Sequence, residues 1–480
     1  MQAFVYRLLV AFLRLVTRVF FRTVEVVGQD HVPAGGPVMF VGNHPNSLVD
    51  PVLISTTCPR RVSFAARDGL FSMPHLRPIL WALGSVPIKR KQDHERSGPQ
   101  SGPDTVVSAR QAGHAALAGG ATDNAEAFRA IHALLAAGNA FGIFPEGVSY
   151  TEPELQPLKT GAARMALSAV ADGIPVVIVP VGLSYRRKQH YRGRVLVQYG
   201  RPIALDASWL ERWKKDPREA AHALTDAVEL AMRALTINAD DFDTLKVLDG
   251  VRRLYVPDTR ELSLADEAEL VRRLVSHWEV KRDVAEVKQF YVDVSAYLAL
   301  LDALDLSDWD LRKPISRWDW TRRIARHVVL LMVDVPLALP GLVLLTPILW
   351  GATRAGEMVL ERDDVRATMR MMIGTGSVMV VYLGLAGAVL AWDPTPSGAL
   401  RAALVLALLI TSGLAAIRVL EKQAVVRHGL RVLTRMMALK GELEALRAQR
   451  DALRARLAPL VDAHLDPQLS RIVPRRESAV

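Results

Sequence analysis

Between Thr23 and Leu205, seven short apolar runs are separated by stretches of helical periodicity, and this alternation constrains the fold more than any other feature of the chain. The runs are VEVVG, PVMFVGN, RVSFAAR, SVPIKR, AFGIFPEG, IPVVIVPVGLSY and RVLVQYG. Helix-period stretches such as AEAFRAIHALLAAG and LKTGAARMALSAVADG lie between several of them. Apolar strands alternating with helices predict an α/β domain over residues 23–205, with a mostly parallel sheet flanked by helices. Residues 91–122 break the pattern. Rich in Gly, Ser, Ala and Pro, they read as a mobile surface insertion, with a lid over a site as the less common alternative.

At 480 residues the chain exceeds one compact core, so further regions are expected on either side. Residues 1–22 are apolar and basic, but arginines interrupt the apolar run and no small-residue cleavage site follows. On a helix, Arg7, Arg14 and Arg18 share one narrow stripe while Phe4, Leu8 and Leu15 cover the remainder. That pattern predicts an amphipathic helix lying in a membrane interface; a buried terminal helix with a solvated edge is the alternative. Residues 206–325 look helical and charged, without a chemical motif, and form a helical extension.

A membrane region is expected at 326–420. Residues 371–391 and 402–418 are apolar spans of adequate length. Residues 327–350 are also apolar but carry Asp334, Pro336, Pro340 and Pro347. Three full spans would put Arg354, Arg362, Arg366 and Arg370 on the face opposite the domain at 23–205, against the positive-inside bias. A re-entrant 327–350 removes that conflict, keeping that domain and the tail cytoplasmic in an integral membrane protein. The basic tail, 421–480, sets Leu439, Leu443, Leu446, Leu453, Leu457 and Leu460 at alternating spacings of four and three, with Arg450 in one slot. This short heptad seam suits a homodimer, or packing on the α/β domain or the membrane.

The net charge of +10 favours anionic partners, among them phospholipid headgroups and phosphorylated substrates, though a merely solvated basic surface gives the same sum. Nucleic acid is disfavoured, since no aromatic-basic interleaving or known module appears. The single cysteine, Cys58, rules out an intramolecular disulfide and has no activating neighbour. No Cys/His cluster has zinc spacing, so no metal is expected.

Chemistry concentrates after the second run. Asn43-His44-Pro45-Asn46-Ser47-Leu48-Val49-Asp50-Pro51 delivers a histidine at a strand end and a carboxylate six residues later. A histidine near neutral pKa can take a hydroxyl proton, and a carboxylate can fix its tautomer and stabilise the imidazolium. Alone the pair is weak, because a loop histidine and a helix-capping aspartate are the commoner reading. Lys89 and Arg90 end a β-like run and suit a phosphate, Arg as a planar fork, or a solvated turn equally. In Phe144-Pro145-Glu146-Gly147-Val148-Ser149, Glu146 can accept hydroxyl donors or hold the loop, while Gly147 permits close backbone approach. Lys159 opens a helix whose free N–H groups can add to an anion site.

These blocks, in this order, resemble the motifs of the glycerolipid acyltransferase family, the glycerol-3-phosphate and 1-acylglycerol-3-phosphate acyltransferases. The four are the Asn43–Pro51 stretch, Gly84–Arg90, Phe144–Ser149 and Val179-Pro180-Val181-Gly182-Leu183, together covering about 35–205. The resemblance implies acyl transfer from acyl-CoA or an acyl carrier protein thioester to a phosphorylated glycerol acceptor, with no other cofactor. His44 and Asp50 become catalytic; Asn43, Lys89, Arg90, Glu146, Gly147, Ser149 and Lys159 bind substrate. Three departures stand out. Five residues, not the usual four, separate His44 from Asp50, which resembles a subgroup with membrane segments after the catalytic domain. Ser149 stands where the family often has Arg. The insertion after Arg90 is unusually long. A membrane lipid hydrolase using the same histidine and a catalytically decayed scaffold are the alternatives.

Overall fold

The computed structural model describes residues 2–72, 77–88, 125–186, 191–312, 317–359, 363–438 and 440–464. The chain divides into two compact units, residues 1–151 with 155–237, and residues 152–154 with 238–480.

In the first unit the sheet is built from β1 (Thr23–Val27), β2 (Val38–Gly42), β3 (Val62–Arg67), β4 (Val86–Ile88), β5 (Ala140–Ile143), β6 (Val177–Arg186) and β7 (Arg194–Tyr199). Their spatial order is β1-β7-β6-β2-β5-β3-β4, and a short β8 (Ile203–Ala204) pairs with β6. All pairs are parallel except β6 with β7 and β6 with β8. The seven apolar runs are therefore seven strands, and the mostly parallel sheet flanked by helices is present.

Eight helices accompany this sheet among the described residues: α1 (Gln2–Phe20), α2 (Val49–Thr57), α3 (Asp68–Phe71), α4 (Arg77–Leu83), α5 (Ala125–Ala136), α6 (Gly161–Ala171), α7 (Ala207–Lys215) and α8 (Pro217–Arg233). Central β2 is buried along its whole length. Its side chains alternate between faces, so Met39 and Val41 join Ile131 and Leu135 of α5, Leu167 of α6 and Leu224 of α8 in one core. Phe40 faces the other way, its ring edge-on to Tyr199 at 6.0 Å. Each such fully buried side chain contributes about 1.5–3 kcal/mol, which holds the central strand ends in place.

The border expected at residue 205 falls instead after Ile237. Asp216 caps α8 through the N–H groups of Arg218 and Glu219, and the helix buries Ala220, Ala221, Leu224, Val228 and Met232 against the sheet core. Its charged outer face reads as an extension, but its inner face closes the α/β layer. Helix α1 packs against α2 and α4, burying Val10, Thr17 and Phe20. Phe4, Leu8 and Leu15 remain exposed, and the Arg14 guanidinium donates to the Thr56 carbonyl at 2.9 Å.

The second unit is helical: α9 (Phe242–Tyr255), α10 (Leu264–Lys281), α11 (Ala285–Ala303), α12 (Asp308–Leu311), α13 (Arg317–Val359), α14 (Asp363–Trp392), α15 (Pro396–Ala438) and α16 (Lys440–His464). The heptad seam is covered within this unit. Leu443, Leu446, Leu453 and Leu457 of α16 join Val251, Leu254, Phe290 and Tyr297 in one core. Arg450, in the seam slot, donates to Asp258 at 2.8 Å and Asp308 at 2.9 Å. Leu439 lies outside the described residues.

Two stretches, Arg370–Trp392 and Pro396–Val432, are long and apolar enough to cross a membrane. Helix α13 contains Pro336, Pro340 and Pro347 and bends by 70° between Ile324–Met332 and Asp334–Ile348. Proline removes a backbone donor and crowds the preceding turn, which accounts for a bend there. Gly341 lets α13 approach α15 closely, with its N–H donating to Ser412 Oγ at 2.7 Å. Asp334 is ion-paired with Lys422.

Candidate active site

Strand β2 ends at Gly42 and releases Asn43 and His44 at the carboxyl edge of the sheet, where open parallel sheets place their ligand crevices. Helix α2 begins at Val49, so Asp50 lies in its first turn. Between them Ser47 adopts φ 37°, a left-handed conformation that costs an L residue about 1–2 kcal/mol. This turn folds the five-residue spacer back on itself. His44 Nδ1 thereby comes to 2.9 Å from Asp50 Oδ2, so the longer spacing does not prevent the contact.

Asp50 is fully buried, and its carboxylate is held from three directions. Oδ2 also accepts the Asn46 backbone N–H at 2.7 Å, and Oδ1 accepts the Tyr185 hydroxyl at 2.5 Å. An ionised carboxylate can only accept, so Nδ1 carries the imidazole proton and Nε2 keeps its lone pair. The His44 side chain is 12% exposed, sufficient for a substrate to reach one ring edge.

Strand β5 runs beside β2 and contributes the second loop. The Phe144 ring stacks on His44 at 4.1 Å and 11°, and Phe64 stacks on Phe144 at 5.8 Å and 12°. Gly142 makes this column fit, because a Cβ there would stand 2.3 Å from the Phe64 ring. Beyond Phe144 the chain turns at Gly147, φ 75°, whose N–H returns to the Phe144 carbonyl at 3.1 Å. The Lys159 side chain lies over Gly147, and a Cβ there would push its flexible end aside. Lys159 is exposed and precedes α6, which starts at Gly161, so it stands before the helix instead of opening it.

Glu146 is buried in this loop, and among the described residues neither carboxyl oxygen has a hydrogen bond of ordinary geometry. Burial pushes its carboxyl up to about 9, and the neighbouring Asp50 charge adds to the rise; the Tyr150 hydroxyl and His44 backbone only partly oppose it. Glu146 is therefore neutral near pH 7. Its position fits the loop-holding reading better than direct contact with a bound hydroxyl. Burial and Glu146 likewise raise the Tyr150 phenol.

Asn43 is buried and its amide is already used. Its Nδ2 donates to the Leu183 carbonyl at 3.0 Å and its Oδ1 accepts the Leu183 N–H at 2.7 Å. The side chain thus extends the β2–β6 pairing by one rung. Ser149 is half-buried on the Glu146 loop. Lys89 and Arg90 lie outside the described residues, as does the whole of 91–122. The fourth block occupies buried β6. Cys58 is buried, and burial pushes its thiol up to about 11, so it stays protonated. Among the described residues, no cluster of His, Cys, Asp or Glu could hold a metal ion. Tyr185, Phe144 and Tyr150 were not expected from sequence as site residues. Tyr185 follows Val181 and Leu183 at strand period, which was the available signal.

Residues 23–184 match the Acyltransferase family, and residues 247–470 match the glycerol-3-phosphate acyltransferase 2 C-terminal domain. The chain is thus similar to an acyltransferase domain over its first part and to that C-terminal domain over its second. Among named relatives, it is 31% identical over 278 residues to glycerol-3-phosphate O-acyltransferase 2 of Saccharomyces cerevisiae, covering 54% of this chain and 37% of the relative. It is 25% identical over 446 residues to glycerol-3-phosphate O-acyltransferase 1 of the same yeast, covering 76% and 58% respectively. An uncharacterised acyltransferase of Schizosaccharomyces pombe is 23% identical over 457 residues, covering 79% of this chain and 68% of that one. The chain therefore spans about two fifths and three fifths of the two Saccharomyces relatives. The crystal structure of the 1-acyl-sn-glycerophosphate acyltransferase PlsC from Thermotoga maritima aligns at 18% identity and a TM-score of 0.31, over 48% of this chain and 80% of that one.

Proposed function

We propose that this protein transfers a fatty acyl group from an acyl thioester to the hydroxyl of glycerol-3-phosphate or a lysophospholipid. The observation that carries the reading is the His44–Asp50 pair at the end of β2, with Nε2 left as the base. In the reaction Nε2 takes the acceptor's hydroxyl proton as the oxygen attacks the thioester carbonyl. The tetrahedral intermediate then expels the thiolate, which recovers the proton from the imidazolium. Asp50 keeps Nδ1 protonated and balances the transient positive charge. Neutral Glu146 supports an anionic acceptor, because a second carboxylate beside Asp50 would repel its phosphate. Lys159, at the mouth of the Gly147 turn, supplies a cation for that phosphate, with Lys89 and Arg90 as further donors. The longer spacing between His44 and Asp50 supports the likeness to the subgroup with membrane segments after the catalytic domain.

The same reading makes the protein integral to a membrane, with the catalytic unit and tail cytoplasmic and α1 lying in the interface. The exposed Phe4, Leu8 and Leu15 support the last point. The 70° bend in α13 supports re-entry at 327–350, and reporter fusions after residue 360 that localise outside would overturn that topology. Catalysis is tested with purified protein in lipid vesicles, given acyl-CoA or acyl carrier protein thioester and a panel of acceptors, with products identified by mass spectrometry. Acceptor-dependent ester formation is expected. Free fatty acid released at the same rate without acceptor would mean a hydrolase instead.

A further inference from the structure

The Asp50 carboxylate has one hydrogen-bonding neighbour that belongs to neither the histidine loop nor α2. Tyr185 stands near the end of β6, paired with Val195 of β7, and its hydroxyl reaches Asp50 Oδ1 at 2.5 Å. Its ring is set by a tilted contact with buried Phe21, the centroids 6.0 Å apart. Two residues earlier on the same strand, Leu183 is gripped at both its N–H and carbonyl by the Asn43 side chain. Residues two apart on a strand share a face, so the Asn43 grip fixes where the phenol points. Asn43 is also the residue before His44. One side chain therefore ties the strand bearing the base to the strand bearing the phenol.

A buried carboxylate with two free oxygens can rotate about its Cβ–Cγ bond and lose its aim. The two contacts on Oδ2, His44 Nδ1 and Asn46 N–H, leave Oδ1 open to choose any donor. We propose that Tyr185 is a positioning residue for the reaction: by donating to Oδ1 it locks the Asp50 carboxylate so that Oδ2 stays directed at His44 Nδ1. The titratable groups around this carboxylate are His44 from the β2 loop, Tyr185 from β6, and Glu146 and Tyr150 from the loop after β5. Burial and the adjacent Asp50 charge hold the Tyr185 phenol well above its ordinary value, so it remains a donor throughout the working range. The donor also draws charge from the carboxylate. Without it, Oδ2 binds the Nδ1 proton more tightly and the imidazolium gives up a proton less readily.

Tyr185→Phe keeps the ring and removes only this hydroxyl. The inference rests on the acyl-transfer reading for its kinetic readout alone. In vesicles with acyl-CoA and glycerol-3-phosphate, kcat should fall about tenfold to a hundredfold, the factor a hydrogen bond to a charged group supplies, with little change in acceptor KM. The acidic limb of kcat should move to higher pH, which a packing role would not produce. Because Tyr185 acts through Asp50, the Asp50→Asn/Tyr185→Phe double variant should match Asp50→Asn alone within about twofold. Carbethoxylation of His44, followed against pH by peptide mass spectrometry, needs no turnover, so it tests the phenol even if transfer itself is not observed. Its midpoint should rise in Tyr185→Phe. An unchanged or lowered midpoint, an unmoved limb, or additive losses in the double variant would each overturn the proposal.

Discussion

Asp50 and Asp308 are buried carboxylates, one in each unit, and each accepts a hydrogen bond from a tyrosine hydroxyl, Tyr185 and Tyr297 respectively. Their remaining partners differ in kind. Asp308 meets the Arg450 guanidinium at 2.9 Å and that of Arg312 at 3.3 Å, and Arg450 also reaches Asp258. Arginine stays charged at any working pH, so this cluster is permanently neutralised and can only hold helices together. Asp50 meets a backbone N–H and an imidazole instead. The imidazole can gain and lose a proton, so the same type of carboxylate becomes part of a site that works. Glu146 is a third solution: burial and the neighbouring Asp50 charge make it shed its own charge by keeping its proton.

The largest test of this contrast is at the imidazole. His44→Ala should lower acyl transfer by about a hundredfold to ten-thousandfold, while membrane association and the unfolding midpoint change little. A variant retaining more than a tenth of the rate would remove His44 as the base. Arg450→Ala should do the reverse. It leaves Asp308 with Arg312 and Asp258 with Arg454 and Arg312, so denaturant unfolding should report the loss of the Arg450 contacts alone, about 1.5–3 kcal/mol. The transfer rate per folded molecule should hold; a specific rate loss without destabilisation would place Arg450 in the chemistry and dissolve the contrast.

Glu146→Gln gives the effect with the most specific sign. Glu146 has its carboxyl raised in the fold, so between pH 4.5 and about 9 the folded protein keeps a proton that the unfolded chain releases. Stability from this group is therefore fully present below pH 4.5 and declines as pH rises through that window, by at most about 1.4 kcal/mol per pH unit. Gln carries no proton to lose, so unfolding curves of the two proteins should diverge with rising pH and become parallel above about 9. Identical pH dependence would mean that Glu146 is ionised in the fold.

The strands were readable because each is a short apolar run bounded by turn residues, and only the two-residue β8 escaped notice. Helix α8 was legible as a helix, with Leu224, Val228 and Met232 on one face, but periodicity names a face and not the surface it covers. The same limit applies to α16, whose leucine seam offered a partner chain yet packs on α9 and α11. In the site, His44 and Asp50 were legible because they stand in one short block followed by three others in order. Tyr185 stands 135 residues from Asp50, and only the β2–β6 pairing brings them together. The partner of Asn43, Leu183, stands 140 residues away and was likewise out of reach of local spacing.

The column of Phe64, Phe144 and His44 has one more consequence. With the imidazole clamped flat against Phe144 and tethered at Nδ1, its ring flip and side-chain rotation are frozen in the resting fold. The ordering entropy of the base is thus settled when the chain folds and does not recur at each turnover. That freezing depends on the missing side chain at Gly142, a glycine that never meets the substrate yet limits how far the imidazole can wander.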